Sequence, residues 1–147
     1  MSAEVEMRLC TFQDIGKVLE LEKACFPEDA YGRSVFIYYL ATARDGFILA
    51  TSREKILGYV IATGRARKGL IVSLAVLPEF RRRGIGSKLM NSMLGQLGNR
   101  DVFLQVDVNN QDAIAFYRKF GFKESGKVLP SYYRNGNDGI EMVKRSS

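Results

Sequence analysis

The sequence predicts an α/β fold, a mixed sheet with helices on both faces, and three observations lead there. Short apolar runs rich in β-branched residues alternate with segments whose apolar residues recur at helical spacing. In order these read strand, two helices, three strands, helix, strand, helix, two strands. No repeat, low-complexity segment or linker interrupts the 147 residues, which fits a single domain over 1–147 with an ordinary core.

Met7 to Phe12 reads as the first strand. Thr11 followed by Asp14 resembles a capping box and opens a helix through about Ala24, with Ile15, Val18, Leu19 and Cys25 on its apolar face. Phe26-Pro27-Glu28-Asp29-Ala30-Tyr31-Gly32 breaks it, and a short helix follows over Arg33 to Ala43. Phe47 to Thr51 and Ile56 to Thr63 form a hairpin around the polar turn Ser52-Arg53-Glu54-Lys55. A turn near Arg67-Lys68-Gly69 leads to a buried strand, Ile71 to Leu77, closed by Pro78. From Gly84 the apolar positions Ile85, Leu89, Met90, Met93, Leu94 and Leu97 trace one face of a helix that ends near Gly98-Asn99. Val102 to Val108 alternates as a strand. Asn109-Asn110-Gln111-Asp112 caps a helix carrying Ala113, Phe116, Tyr117 and Phe120, and Gly121 ends it. Phe122 to Val128 and Gly139 to Val143 close the chain, linked through Pro130-Ser131-Tyr132-Tyr133-Arg134-Asn135-Gly136-Asn137.

Hydrophobic residues make up 46% and charged residues 26%, the profile of a soluble globular protein. No apolar run approaches the length of a membrane helix, and the acidic start Met1-Ser2-Ala3-Glu4-Val5-Glu6 lacks a signal-peptide core, so the expected compartment is the cytoplasm. Cys10 and Cys25 are expected as reduced thiols rather than a disulfide or metal ligands. The absence of histidine excludes His-based metal sites, triads and bases. The net charge of +6 suits either nucleic acid or a polyanionic cofactor, but no recognised nucleic-acid motif is present.

The charge is concentrated where it can do chemistry. Arg81-Arg82-Arg83-Gly84-Ile85-Gly86 lies between an apolar strand and an amphipathic helix. Unpaired N–H groups and the dipole of a helix start favour an anion, glycine lets the backbone approach it, and arginine adds full charge. Such a cradle suits phosphate or pyrophosphate. It matches neither the Walker-type loop nor the dinucleotide fingerprint. It does resemble the acetyl-CoA motif of the GNAT acetyltransferases, Gln/Arg-x-x-Gly-x-Gly/Ala, through Arg81, Gly84 and Gly86, with Leu74-Ala75-Val76 and Pro78 ahead of it.

A second run, Asn110-x-x-Ala113-x-x-Phe116-Tyr117-x-x-Phe120-Gly121-Phe122, is similar to the other cofactor motif of this family, especially in protein N-terminal acetyltransferases of the ribosomal-protein alanine and archaeal N-alpha types. Read alone, Tyr117 would be a core tyrosine with a locally bonded hydroxyl. The resemblance implies instead that Asn110 contacts the pantetheine arm and that Tyr117 protonates the departing thiolate. A phenol with pKa near 10 is matched to that task. The resemblance covers nearly the whole chain and implies the GNAT fold, with a mostly antiparallel sheet. It further implies acetyl-CoA as cofactor, CoA as product, and a primary amine as acceptor, foremost a protein N-terminus. On the same resemblance, Arg82, Arg83, Ile85 and Ser87 would complete the pyrophosphate cradle. The resemblance implies that Leu74, Ala75 and Val76 align the pantetheine, with an N–H near Val76 polarising the thioester. Tyr132 and Tyr133 resemble the segment that holds the peptide end. Glu28 and Tyr31 match the opposite wall, although Tyr31 also reads as a packed surface tyrosine.

The pattern breaks at the general base. Bacterial members carry glutamate five residues before the asparagine, where this chain has Gln105, and some archaeal members carry histidine where Leu70 stands. An amide cannot accept the amine's proton. Asp107, on the same strand face as Gln105, is one replacement; Glu28 acting through water is another. A third is an α-amine that needs no protein base, its pKa being about 7.7–8. Acetylation of a small amine such as a polyamine, or a non-catalytic CoA-binding module, are the alternative functions.

Overall fold

The computed structural model describes residues 4–146, so the signal-peptide reading of the amino terminus falls partly on residues 1–3, outside the described residues. The elements follow the expected order: β1 (Glu6–Leu9), α1 (Ile15–Cys25), α2 (Arg33–Thr42), β2 (Phe47–Ser52), β3 (Lys55–Arg65), β4 (Lys68–Val76), α3 (Ile85–Leu97), β5 (Asp101–Asp107), α4 (Gln111–Lys119), β6 (Lys123–Leu129) and β7 (Gly139–Lys144). The strands hydrogen-bond in the order β1-β2-β3-β4-β5-β7-β6. β4 and β5 run parallel, whereas β1/β2, β2/β3, β5/β7 and β6/β7 are antiparallel. This is the mixed, mostly antiparallel sheet expected. The chain forms two compact units, one of residues up to 63 with 73–98, the other of 64–72 with 99 onward.

In the first unit, successive β3 residues point to opposite faces, and each face meets helices. Tyr59 reaches α1 through Glu22 and α2 through Phe36, whose ring lies 5.6 Å away and nearly perpendicular. Its neighbour Gly58 faces the other way, where a Cβ would lie 3.2 Å from Leu89 of α3. Five residues of the helical stripe expected for α3, Ile85, Leu89, Met90, Met93 and Leu97, are buried, while Leu94 at its margin is half-buried.

β1 stops at Leu9 rather than Phe12, because the Thr11–Asp14 cap closes a single 3-10 turn before α1. The Asp14 carboxylate accepts from Thr11 N (2.8 Å) and Thr11 Oγ1 (3.0 Å), and Arg8 grips both its oxygens at 2.7 and 2.9 Å. The Arg8 guanidinium is the main reason its carboxyl lies far below the ordinary carboxylate range.

In the second unit, β4 starts three residues before the expected Ile71, because Lys68, Gly69 and Leu70 pair in parallel with Asp101, Val102 and Phe103. β6 begins at Lys123, since the buried Phe122 donates its N–H to Tyr117 O at 3.2 Å. Cys10 and Cys25 are free thiols. Among the described residues no helix is long and apolar enough to cross a membrane.

Candidate active site

The first cluster forms where β4 hands over to α3. Val76 closes β4, and its carbonyl accepts from Arg81 Nε at 2.9 Å and from Cys25 Sγ at 3.3 Å. The strand end is thereby fixed from the following turn and from α1 together. After a 3-10 turn over Pro78–Phe80, both Arg82 (φ 64°) and Gly84 (φ 80°) take the left-handed conformation. For Arg82 this costs about 1 kcal/mol. A Cβ on Gly84 would meet nothing within 4 Å, so the glycine answers a backbone demand rather than a lack of space.

α3 then opens at Ile85 with no side chain capping it. Ile85, Gly86 and Ser87 therefore present N–H groups without intrahelical partners, at the positive end of the helix dipole. The arginines beside them are not equivalent. Arg81 is occupied with Val76 O, and the Arg83 guanidinium lies over the Phe80 ring at 5.3 Å. Among the described residues Arg82 has no hydrogen bond, ion pair or ring contact, and it is exposed. Among the described residues, a cation without a protein partner beside a row of unpaired N–H groups is a donor set suited to a phosphate oxygen.

The α1–α2 loop belongs to the same unit. Glu28 is exposed. Tyr31 is 38% exposed, its ring edge-on to Phe36 at 6.1 Å, and its N–H donates to Glu22 Oε2 at 2.9 Å. Glu22 is a residue that the sequence reading missed. It is only 1% exposed, and its other oxygen accepts from Tyr59 OH at 2.6 Å. The Tyr59 oxygen lies 2.8 Å from Ser73 Oγ on β4. The signal was present: Ile15, Val18, Glu22 and Cys25 share one helical stripe, which puts a carboxylate at a core position.

The second cluster lies in the other unit. Val102, Leu104 and Val106 of β5 are buried, which leaves Phe103, Gln105 and Asp107 together on the opposite, half-buried face. Gln105 pairs in register with Glu141. Asp107 is less available than a base needs to be. Its carboxylate accepts from Asn109 N (2.9 Å), from Asn137 Nδ2 (3.1 and 3.2 Å) and from Asn135 Nδ2 (3.3 Å). Burial alone would raise its pKa, but these hydrogen bonds together bring it below the ordinary value. The geometry gives Asp107 the work of an anchor for the β6–β7 connection.

That connection carries Tyr132 and Tyr133, whose rings meet edge to face at 5.0 Å and 86°. Tyr132 is 53% exposed, and its ring packs over Gly139, where an added Cβ would lie 3.2 Å from Tyr132 Cδ2. Asn110 caps α4, its Oδ1 accepting from Ala113 N at 3.1 Å, which leaves its amide nitrogen available. Tyr117, two turns on, packs against Phe116 (5.5 Å) and Phe122 (6.0 Å). Among the described residues nothing hydrogen-bonds its hydroxyl, contrary to the usual habit of a core tyrosine. The residue is half-buried, and burial pushes the phenol up to about 12.

Residues 15–122 match the sequence pattern of the acetyltransferase (GNAT) family. An N-alpha-acetyltransferase of Sulfolobus acidocaldarius is 32% identical, with 94% of this chain and 90% of the relative covered. The crystal structure of Ard1 from Thermoplasma volcanium superposes with a TM-score of 0.90 at 26% identity, over 97% of this chain and 98% of the other. Arabidopsis thaliana Naa50, solved with the bisubstrate analogue CoA-Ac-MVNAL, gives a TM-score of 0.82 at 27% identity, over 95% and 97%. On its sequence and its fold, this chain belongs to the GNAT acetyltransferase family.

Proposed function

We propose that this chain transfers an acetyl group from acetyl-CoA to the N-terminal α-amine of a protein in the cytoplasm, its whole length working as one acetyltransferase domain. The observation that carries the cofactor is the uncapped start of α3 beside Arg82, whose guanidinium has no partner among the described residues. Relatives that bear the name N-alpha-acetyltransferase, and a neighbour solved with CoA joined to a peptide, support the acceptor.

When bound, acetyl-CoA supplies the acetyl thioester that a neutral amine attacks. Arg82, with the N–H groups of Ile85, Gly86 and Ser87, holds the pyrophosphate. The backbone of Leu74, Ala75 and Val76 would serve as a partner strand for the pantetheine arm, and the Val76 N–H would supply an oxyanion donor. The free amide nitrogen of Asn110 steadies the same arm. Tyr117 offers its hydroxyl to the departing sulfur. Tyr31, Tyr132, Tyr133 and Glu28 hold the peptide end. Gln105 takes no proton, since an amide side chain is not a base.

The test is thiol release from acetyl-CoA against short peptides beginning with Ala, Ser, Met or Glu, beside N-terminally blocked lysine peptides and spermidine. Turnover confined to free N-termini supports the proposal. Turnover of spermidine alone makes this a small-amine enzyme, and acetyl-CoA binding without turnover makes it a binding module. The arginines separate in the same assay. Arg82→Ala is expected to raise the KM for acetyl-CoA about tenfold, an effect that shrinks with added salt, and to leave kcat unchanged. Arg81→Ala is expected to lower kcat instead, since Val76 loses the stronger of the two donors that fix its carbonyl.

A further inference from the structure

Three side chains in the first unit form a hydrogen-bonded line that the functions assigned above do not use. Glu22 of α1, Tyr59 of β3 and Ser73 of β4 are joined by contacts of 2.6 and 2.8 Å. Glu22 and Tyr59 are shut away at 1% and 0% exposure, whereas Ser73 is half-buried, so the line opens outward only at the serine.

Counting hydrogens gives the line a direction. An ionised carboxylate only accepts, so the single Tyr59 proton points to Glu22. The Tyr59 oxygen is then the acceptor for the Ser73 hydroxyl proton, and the lone pairs of Ser73 are left facing outward. A proton arriving at Ser73 thus has a route inward to a carboxylate.

Position ties the line to the acetyl-transfer chemistry. Ser73 lies two and three residues before Ala75 and Val76, about 7–10 Å along the strand. The same Glu22 carboxylate accepts the N–H of Tyr31, in the loop assigned to the acceptor. Cys25, one turn further along α1, holds the Val76 carbonyl. The end of α1 therefore grips the acceptor loop and the thioester end of β4 together.

We propose that Ser73, Tyr59 and Glu22 form the proton relay that neutralises the acceptor amine, standing in for the base that Gln105 and Leu70 cannot supply. This rests on the acceptor and cofactor assignments above. In the step, one N–H bond of the acceptor ammonium breaks and its electron pair stays on nitrogen. Ser73 Oγ takes that proton while its own passes to Tyr59, and the Tyr59 proton passes to Glu22. A neutral amine and a neutral Glu22 carboxyl result, and Glu22 later returns its proton to solvent. Ser73 meets the substrate; Tyr59 and Glu22 act through it.

The electrostatics suit this work. Burial raises the Glu22 pKa above the ordinary carboxylate value, opposed in part by the hydrogen bonds from Tyr59 and Tyr31. The groups facing it are Tyr59 from β3, the Tyr31 N–H from the loop and Cys25 on its own helix, and burial holds the Tyr59 hydroxyl and the Cys25 thiol protonated near pH 7. Burial and the Glu22 charge hold Tyr59 well above its usual value, so it passes a proton on without becoming a phenolate. Below the raised Glu22 pKa the carboxyl is already protonated and the relay is full, so the rate falls as pH falls.

The experiment is the pH dependence of kcat/KM on the best peptide for the wild type, Glu22→Gln, Tyr59→Phe and Ser73→Ala. Beside it runs a carbon-13 NMR titration of labelled glutamate in the free protein. In the wild type, the acid limb of the rate is expected to share its midpoint with the Glu22 resonance, below the amine's own pKa. In each variant the midpoint moves up to that of the amine, about 7.7–8, so the loss is about tenfold or more near pH 6.5 and under about threefold near pH 9. Glu22→Gln keeps an acceptor for Tyr31 N, and Tyr59→Phe keeps the ring packing, so a folding failure in one leaves the other to answer. Profiles lowered by the same factor at every pH overturn the relay and leave the acceptor assignment standing. A wild type that acetylates no α-amine overturns the acceptor assignment and the relay with it.

Discussion

Tyr117→Phe is expected to lower kcat about a hundredfold and to leave both KM values within about twofold. The phenylalanine keeps the contacts with Phe116 and Phe122, and among the described residues the lost hydroxyl bonds to nothing, so the melting temperature should hardly move. The pH behaviour follows from burial. With its pKa pushed up to about 12, Tyr117 stays protonated throughout the working range and adds no falling limb to the rate below about pH 10. It is also a weaker acid than the unperturbed phenol considered from sequence. In the proposed role its main contribution would then be a hydrogen bond to the leaving sulfur rather than an early proton transfer. Steady-state kinetics with thiol detection, together with a thermal melt, check this. An unchanged kcat would leave Tyr117 as packing alone.

How much of this was legible in the sequence depends on whether the cause was local. The α3 stripe and the Asn110 cap could be read because periodicity and capping act within a few residues. The early start of β4 could not, because Arg67-Lys68-Gly69 reads as a turn until Asp101–Phe103 comes alongside Lys68–Leu70. Asp107 was read correctly as sharing a face with Gln105, but its attachment to Asn135 and Asn137 comes from about thirty residues downstream. Glu22 carried a signal, a carboxylate on a core stripe, but its meaning waited on Tyr59, 37 residues away. Arginine roles were the least legible. Arg81, Arg82 and Arg83 are adjacent and chemically identical, and only the turn assigns one to Val76, one to Phe80 and one to open space.

Gly58→Ala is expected to damage cofactor binding from a position that never touches the cofactor. A Cβ there would lie 2.6 Å from the carbonyl oxygen of Ala75 and 3.2 Å from both Leu89 Cδ1 and Val76 Cγ2. The side chains can yield by rotation, but the carbonyl belongs to β4 and takes the strand with it. Overpacking of this kind costs about 1–3 kcal/mol. In a chain of this size that lowers the melting temperature by about 3–10 °C. The same displacement moves Ala75 and Val76, so the KM for acetyl-CoA should rise and kcat should fall together. Gly95→Ala is the matched control. It lies within α3 with nothing inside 4 Å of the added Cβ, and should stabilise by about 0.5–1 kcal/mol without a kinetic effect. One methyl group thus carries opposite signs at two glycines, according to whether a backbone oxygen or open space receives it. If Gly58→Ala loses stability but keeps its KM for acetyl-CoA, the backbone of Ala75 and Val76 does not bind the pantetheine arm. The α3 cradle would then have to supply the affinity alone.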